Sequence, residues 1–126
     1  MRRLLLDTQV VVWTLEDSER LGRGLRHLIA DAENQAWVST AAIWELAIKA
    51  GKDHIDLPDR LLESIAQTGF QTLDIKPDHA LGVLELPPIH NDPFDRLMVA
   101  QARVERLELV SSDTQIWQYD VDIIQA

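Results

Sequence analysis

The chain contains no cysteine, which excludes disulfides and thiolate metal sites and fits a reducing compartment without requiring one. It also lacks a long hydrophobic run. The apolar stretch near the start, Leu4-Leu5-Leu6, is ended by Asp7, well short of a signal-peptide core or of the ~20 residues that span a membrane. The expectation is therefore a soluble, cytoplasmic protein with no membrane association. Positive charge is scarce: 12 Lys and Arg stand against 21 Asp and Glu, a formal net charge of −9. That deficit argues against a protein that grips nucleic acid through a basic surface. It leaves open a nucleic-acid contact made through metal ions and a few local cations, or a basic protein partner. Repeats, low-complexity tracts and linkers are missing too, so the 126 residues read as one domain, 1–126. What is present, 46% hydrophobic and 26% charged residues, is the composition of an ordinary globular protein.

Local patterns alternate between strand and helix. Leu4-Leu5-Leu6 reads as a buried strand broken by Asp7-Thr8-Gln9, with a helix to follow over Val10–Leu15. Leu25, Leu28, Ile29 and Ala32 have helical spacing, and Ala36-Trp37-Val38 reads as a second strand. Ser39 or Thr40 then caps a helix running to Ala50, with Gly51 as its stop. Pro58-Asp59 opens a helix that Gly69 ends, and Phe70–Ile75 alternates as a strand. Pro77 starts a helix reaching about Leu86, and Asp92-Pro93 starts another reaching about Arg106. Leu107–Val110 is a strand ending at Ser111-Ser112-Asp113, followed by a short helix and a last strand near Val121–Ile124. Such alternation predicts an α/β fold, a mainly parallel sheet of four to five strands covered by helices on both faces.

Four acids emerge from this layout. In an open parallel sheet, ligands collect beyond the carboxyl ends of the strands, and Asp7 and Asp113 each follow an apolar run directly. Each is equally well explained as the cap of the next helix. Glu45 lies in Ala41-Ala42-Ile43-Trp44-Glu45-Leu46-Ala47-Ile48-Lys49-Ala50, apolar nearly all round and so expected to be largely buried. A carboxylate in such surroundings needs a cation, either Lys49 one turn on or a metal. In Asp92-Pro93-Phe94-Asp95, Asp92 has the place of an N-cap, while Asp95 begins the stripe Asp95, Met98 or Val99, Ala102 that should face the sheet. Carboxylates converging from these segments would repel one another and raise each other's pKa unless a cation intervened. Hard divalent ions, Mg²⁺ or Mn²⁺, prefer such an all-oxygen cluster.

The stretches LLLDTQVVVW, VSTAAIWELAIK, NDPFDRLMVAQA and LVSSD occur in an order and at separations that resemble a PIN domain, most closely the VapC ribonucleases of toxin–antitoxin pairs. The resemblance spans nearly the whole chain. It implies a parallel-sheet α/β/α sandwich that binds Mg²⁺ or Mn²⁺ and hydrolyses RNA. It implies that Asp7, Glu45, Asp95 and Asp113 form the family's acidic quartet as catalytic and metal-binding residues, with Thr8 and Ser111 as supporting polar positions and Asp92 as a further supporting acid. It also implies a homodimer silenced by a cognate antitoxin whose C-terminal tail crosses the active-site groove. Two positions depart from the common pattern: Gln9 stands where His or Asn is usual, and Ser111 where Thr is usual. Both keep hydrogen-bonding capacity.

Other residues read more blandly. His27, His54, His79 and His90 share no metal-ligand spacing and are expected as surface or capping groups, with only His90 close enough in sequence to Asp92 to approach the groove. Trp13, Trp37, Trp44 and Trp117 are expected in the core, although Trp13 and Trp44 flank site residues and are placed to meet an antitoxin. Arg20, Arg23, Lys49, Lys52 and Arg96 are candidates for phosphate contact, each more simply a solvated surface charge. A phosphatase of the haloacid-dehalogenase type would need an acid where Gln9 stands. A receiver module would need an acidic pair before the first turn, which is not there. A catalytically silent PIN scaffold is disfavoured by the intact acids.

Overall fold

The computed structural model describes residues 1–52 and 56–126, so His54 lies outside the described residues. Five strands, β1 (Arg3–Leu6), β2 (Gln35–Ser39), β3 (Gln71–Leu73), β4 (Glu108–Ser111) and β5 (Ile123–Gln125), form one sheet in the order β3-β2-β1-β4-β5. Every pairing is parallel. Among the described residues, six α-helices connect them: α1 (Thr8–Leu15), α2 (Arg23–Ala30), α3 (Thr40–Gly51), α4 (Leu61–Gln67), α5 (Pro77–Gly82) and α6 (Pro93–Glu105). With right-handed crossovers, the connections leading from β1 to β3 cover one face and the return from β3 to β4 covers the other. The result is the expected α/β/α sandwich.

The central strand explains its own sequence. Leu4, Leu5 and Leu6 have no exposed surface, because a strand with helices over both faces cannot afford the polar alternation of a half-buried one. Leu109 and Val110 on β4 and Val38 on β2 are equally buried beside it. On α6, Met98, Val99 and Ala102 are buried, as the helical stripe beginning at Asp95 requires. Among the described residues, no buried side-chain nitrogen or oxygen lacks a hydrogen-bond partner. No helix among them is long and apolar enough to cross a membrane.

Several elements differ from their sequence pattern. The third strand shrinks to Gln71–Leu73, since it pairs only with β2 and buries only Leu73. The second helix stops at Ala30, leaving Ala32 outside and exposed. The fourth begins at Leu61, beyond Pro58-Asp59, and Gly69 then turns the chain with φ +86, the left-handed conformation a glycine adopts without cost. The fifth gives way to a 3₁₀ turn over Val83–Glu85. Helix α3 passes through Gly51. Its apolar circumference is not buried all round: Ala41, Ala42 and Leu46 face the core, whereas Trp44 is 58% exposed.

Candidate active site

The sheet order reverses at β1. The chain leaves β1 for β2 on one side and returns to β4 on the other, and such a reversal opens a crevice beyond the carboxyl ends of the two strands. Asp7 follows β1 and Asp113 follows β4, with the Asp7 N–H bonded to Val110 O at 3.0 Å. Ser39, at the end of β2, caps α3 by accepting from the Ala41 N–H at 3.0 Å, and so sets the start of the helix that carries Glu45. Asp92 caps α6, its Oδ1 accepting from the Phe94 and Asp95 N–H groups at 2.9 and 3.0 Å. That cap, worth about 1 kcal/mol, fixes the first turn of α6 and with it Asp95. A cleft of about 310 Å³ results, lined by Asp7, Thr8, Glu45, Asp92, Asp95 and Asp113 together with Gln9, Lys49 and Ser112.

Each acid is held differently. Asp7 is only 4% exposed, and its Oδ1 accepts from the Val10 N–H at 2.9 Å, so it serves as helix cap and cleft wall at once. Burial pushes its carboxyl above the ordinary value, hydrogen bonds from Ser111 and the Val10 N–H oppose that shift, and the nearby Asp113 adds to it. The Ser111 Oγ also accepts from the Asp113 N–H at 3.0 Å, so one hydroxyl ties the two strand-end acids together. Asp113 in turn accepts from the Gln115 N–H at 2.8 Å. Thr8 Oγ1 donates to Glu45 Oε1 at 2.6 Å, and Lys49 Nζ lies 3.1 Å from Glu45 Oε2. The one-turn Glu45–Lys49 pair and the placement of Glu45 in the cleft therefore hold together.

Asp95 is the most perturbed group. Its carboxyl is pushed up to about 6, first by burial, then by the negative charges of Asp92, Glu45 and Asp113, against a hydrogen bond from His90 that lowers it. His90 Nε2 lies 3.1 Å from Asp95 Oδ2, and its Nδ1 lies 2.8 Å from the Tyr119 hydroxyl. Potential ligand atoms of His90, Asp95 and Asp113 all fall within 4.8 Å of one another. Carboxylates so crowded and so poorly solvated fit a divalent cation, which would remove the repulsion that raises them.

His79 takes the capping role, one of the two expected of it: it closes the first turn of α5, fully buried and bonded on both ring nitrogens. Other expectations fail. Trp44 leaves the core to pack edge-on against Phe94, with ring centroids 5.1 Å apart. Arg96 is not a solvated surface charge; it donates to Pro87 O at 2.8 Å and the Tyr119 hydroxyl at 3.0 Å, with longer contacts to the Val83, Leu86 and His90 carbonyls. It is a clamp on the loop before α6. Tyr119 itself went unrecognised, since it sits in no motif and reaches His90 only through the fold.

A parallel α/β sandwich with a carboxylate-lined cleft at its switch point offers the all-oxygen donor set that a hard divalent ion prefers. The PIN-domain family model matches residues 4–122, and the chain belongs to the PIN-domain family. Among solved structures it is similar to a chain of VapBC2 from Rickettsia felis bound to a DNA fragment from their promoter, with 14% identity, 98% of each chain covered and a TM-score of 0.70. It is similar to a chain of a toxin–antitoxin complex from Klebsiella pneumoniae, with 21% identity, 97% of this chain and 96% of that one covered, and a TM-score of 0.66. It also resembles the PIN domain endonuclease Utp24, at 14% identity over 98% of this chain and 96% of that one, with a TM-score of 0.55. No curated protein matches the chain.

Proposed function

We propose that the protein is an endoribonuclease dependent on Mg²⁺ or Mn²⁺, the toxin half of a VapC-type toxin–antitoxin pair acting in the cytoplasm. One observation carries this reading: Asp7, Glu45, Asp95 and Asp113, remote in sequence, line a single cleft at the switch point of a PIN-domain sheet. Asp7, Asp95 and Asp113 would hold the ion, with Glu45 completing the site directly or through water. Mg²⁺ or Mn²⁺ bound there supplies an acidified water and positive charge against the phosphate. Ser111 sets the spacing of Asp7 and Asp113, Thr8 and Lys49 orient Glu45, and Asp92 fixes Asp95 by capping its helix. Lys49 lines the cleft and Arg20 lines the groove that adjoins it, which lessens the local acidity only in part, and the bound ion would supply the rest. Purified chain, free of any partner, should cut structured RNA with exposed loops in Mg²⁺ or Mn²⁺ and stop when a chelator is added. Asp7→Asn and Asp95→Asn should each cost at least about 100-fold, the upper range for losing a mere supporting partner of a metal ligand. A parent chain that leaves RNA intact, or variants that cut as fast as the parent, would overturn the function.

The antitoxin reading rests on the groove beyond the cleft. Thr8, Gln9 and Lys49 line both the cleft and a channel of about 240 Å³ with Val12, Trp13 and Leu46. Val12, Glu16 and Leu46 continue that channel into a trough of about 450 Å³ with Leu15 and Leu57. An antitoxin tail with apolar anchors and a basic residue near the acids suits this path, and the VapBC complexes among the structural neighbours favour it. Trp13 lines the path; Trp44 does not. Trp44 on α3, and Leu81 and Leu84 at 65% and 83% exposure, are instead apolar side chains left to solvent that a second copy would cover. Light scattering of the chain alone should return twice the 14.3 kDa of one copy, and a mass of one copy would remove the homodimer.

A further inference from the structure

His90 is 7% exposed and lies between two fixed partners, the Asp95 carboxylate and the Tyr119 hydroxyl. Two roles are open to an imidazole in that place: ligand of the ion, or donor that positions Asp95. The surrounding hydrogen bonds decide between them. Arg96 has only donors, so its Nη1 at 3.0 Å donates to the Tyr119 oxygen. The Asp95 carboxylate can only accept, so the ring proton facing Oδ2 is on His90 Nε2, and the tyrosine proton is free for Nδ1. A doubly protonated ring would present the same Nε2–H. In both cases Nε2 has a proton to donate and no lone pair to give a metal, and one Asp95 oxygen is occupied while the other stays free for the cleft.

We propose that His90 is the positioning residue of Asp95, itself set by Tyr119 and, through Tyr119, by Arg96. The chain of donors runs Arg96 to Tyr119 to His90 to Asp95. It crosses from the loop before α6 to the 3₁₀ turn near the end of the sequence, so the rotamer of Asp95 is locked by a part of the fold that never reaches the cleft. The role rests on the metal-site reading above. Partners of this kind, one bond removed from a metal, typically carry about 10- to 100-fold in ion affinity.

The test is Mn²⁺ binding by titration calorimetry to the full chain and to three variants, with melting followed in chelator. His90→Leu keeps bulk but removes the N–H, and should weaken Mn²⁺ about 10- to 100-fold; metal-free melting should fall as well, since the buried Tyr119 hydroxyl loses its acceptor. His90→Gln offers an amide N–H to Asp95 and should recover most of that loss. Tyr119→Phe frees the ring from its far side and should weaken Mn²⁺ in the same direction by less, which keeps the role testable if His90→Leu does not fold. Pulsed EPR of the Mn²⁺-loaded parent should show no imidazole ¹⁴N coupling. If His90→Leu or Tyr119→Phe holds Mn²⁺ as tightly as the parent, the positioning role falls while the metal site stands. A clear ¹⁴N coupling would make His90 a ligand and overturn the role as well. A parent chain that binds no Mn²⁺ overturns the site and the role together.

Discussion

Helix α6 carries a histidine–carboxylate pair at each end. In its last turn Glu105 lies 2.9 Å from His79 Nε2, and in its first turn Asp95 lies 3.1 Å from His90 Nε2. The helix dipole alone would favour an anion at the start and disfavour one at the end. The carboxyls behave the other way: Glu105 is held below its ordinary value, while Asp95 is pushed up to about 6. Neighbours outweigh the dipole, which is worth only about 0.3–1 kcal/mol at such positions. Glu105 stands near the surface, with a hydrogen bond from His79 and the Lys76 ammonium 3.5 Å away. Asp95 is sunk among Asp92, Glu45 and Asp113 with one hydrogen bond from His90 to offset them. The first pair is complete within the protein. The second leaves negative charge over, and that surplus is what a divalent ion would take up.

This contrast can be broken from either end. The largest expected effect is on activity: Asp95→Asn should cost RNA cleavage at least about 100-fold, whereas Glu105→Ala should leave kcat/KM within about twofold, since Glu105 lines no part of the cleft. The next is on stability. Glu105→Ala strands the His79 Nε2–H, which has no exposure, and an orphaned buried donor costs about 1–3 kcal/mol, readable by urea unfolding. Were Glu105→Ala to lose cleavage without losing stability, the pair at the end of α6 would belong to the site after all.

The sequence shows the frame of this site better than its wiring. Strand ends at Asp7 and Asp113 are legible because an apolar run buried on both faces must end abruptly, and whatever follows lands on the sheet edge. The cap at Asp92 is legible because an Asp-Pro pair opens a helix in only one way. Glu45 was found for a partly mistaken reason: its helix is not buried all round, and Trp44 beside it is exposed. Its place in the cleft comes partly from Ser39 capping α3, a local feature, and partly from the Thr8 hydroxyl, which reaches it across 37 residues of sequence. Long-range contacts are another matter. Nothing near Tyr119 signals that its hydroxyl meets both His90 and Arg96, nor does a lone His79 reveal that it is sealed under α6. Arg96, read as a surface cation, spends its donors on the carbonyls of a loop, a role that depends on where the loop closes rather than on any residue spacing.

The smallest effect is a difference in sign with pH, measured on chelated protein so that no ion competes with the protons. A carboxyl raised in the folded state binds its proton there before the unfolded chain does. Its stabilising contribution is full below the ordinary value of 3.8 and is lost as pH rises through about 6. Asp7 shifts in the same direction. Glu105 and Glu108 run opposite: their carboxyls are lowered, Glu105 chiefly by His79 and Glu108 chiefly by Arg2, so their contributions hold above 4.5 and fade as pH falls further. Between pH 7 and 5 the acid cleft is therefore the region whose carboxyls favour the folded state as pH falls. The parent should gain melting temperature over that window relative to Asp95→Asn, by a few degrees, and Asp95→Asn should melt above the parent at pH 7 because its repulsion is gone. Comparing the two chains cancels the histidines remote from Asp95. Parallel melting curves for parent and variant from pH 7 to 5 would show that Asp95 carries no surplus charge, and the contrast between the two ends of α6 would collapse. With the proposed ion bound, saturating Mn²⁺ should reverse the sign, because a proton taken up by Asp95 would compete with the ion.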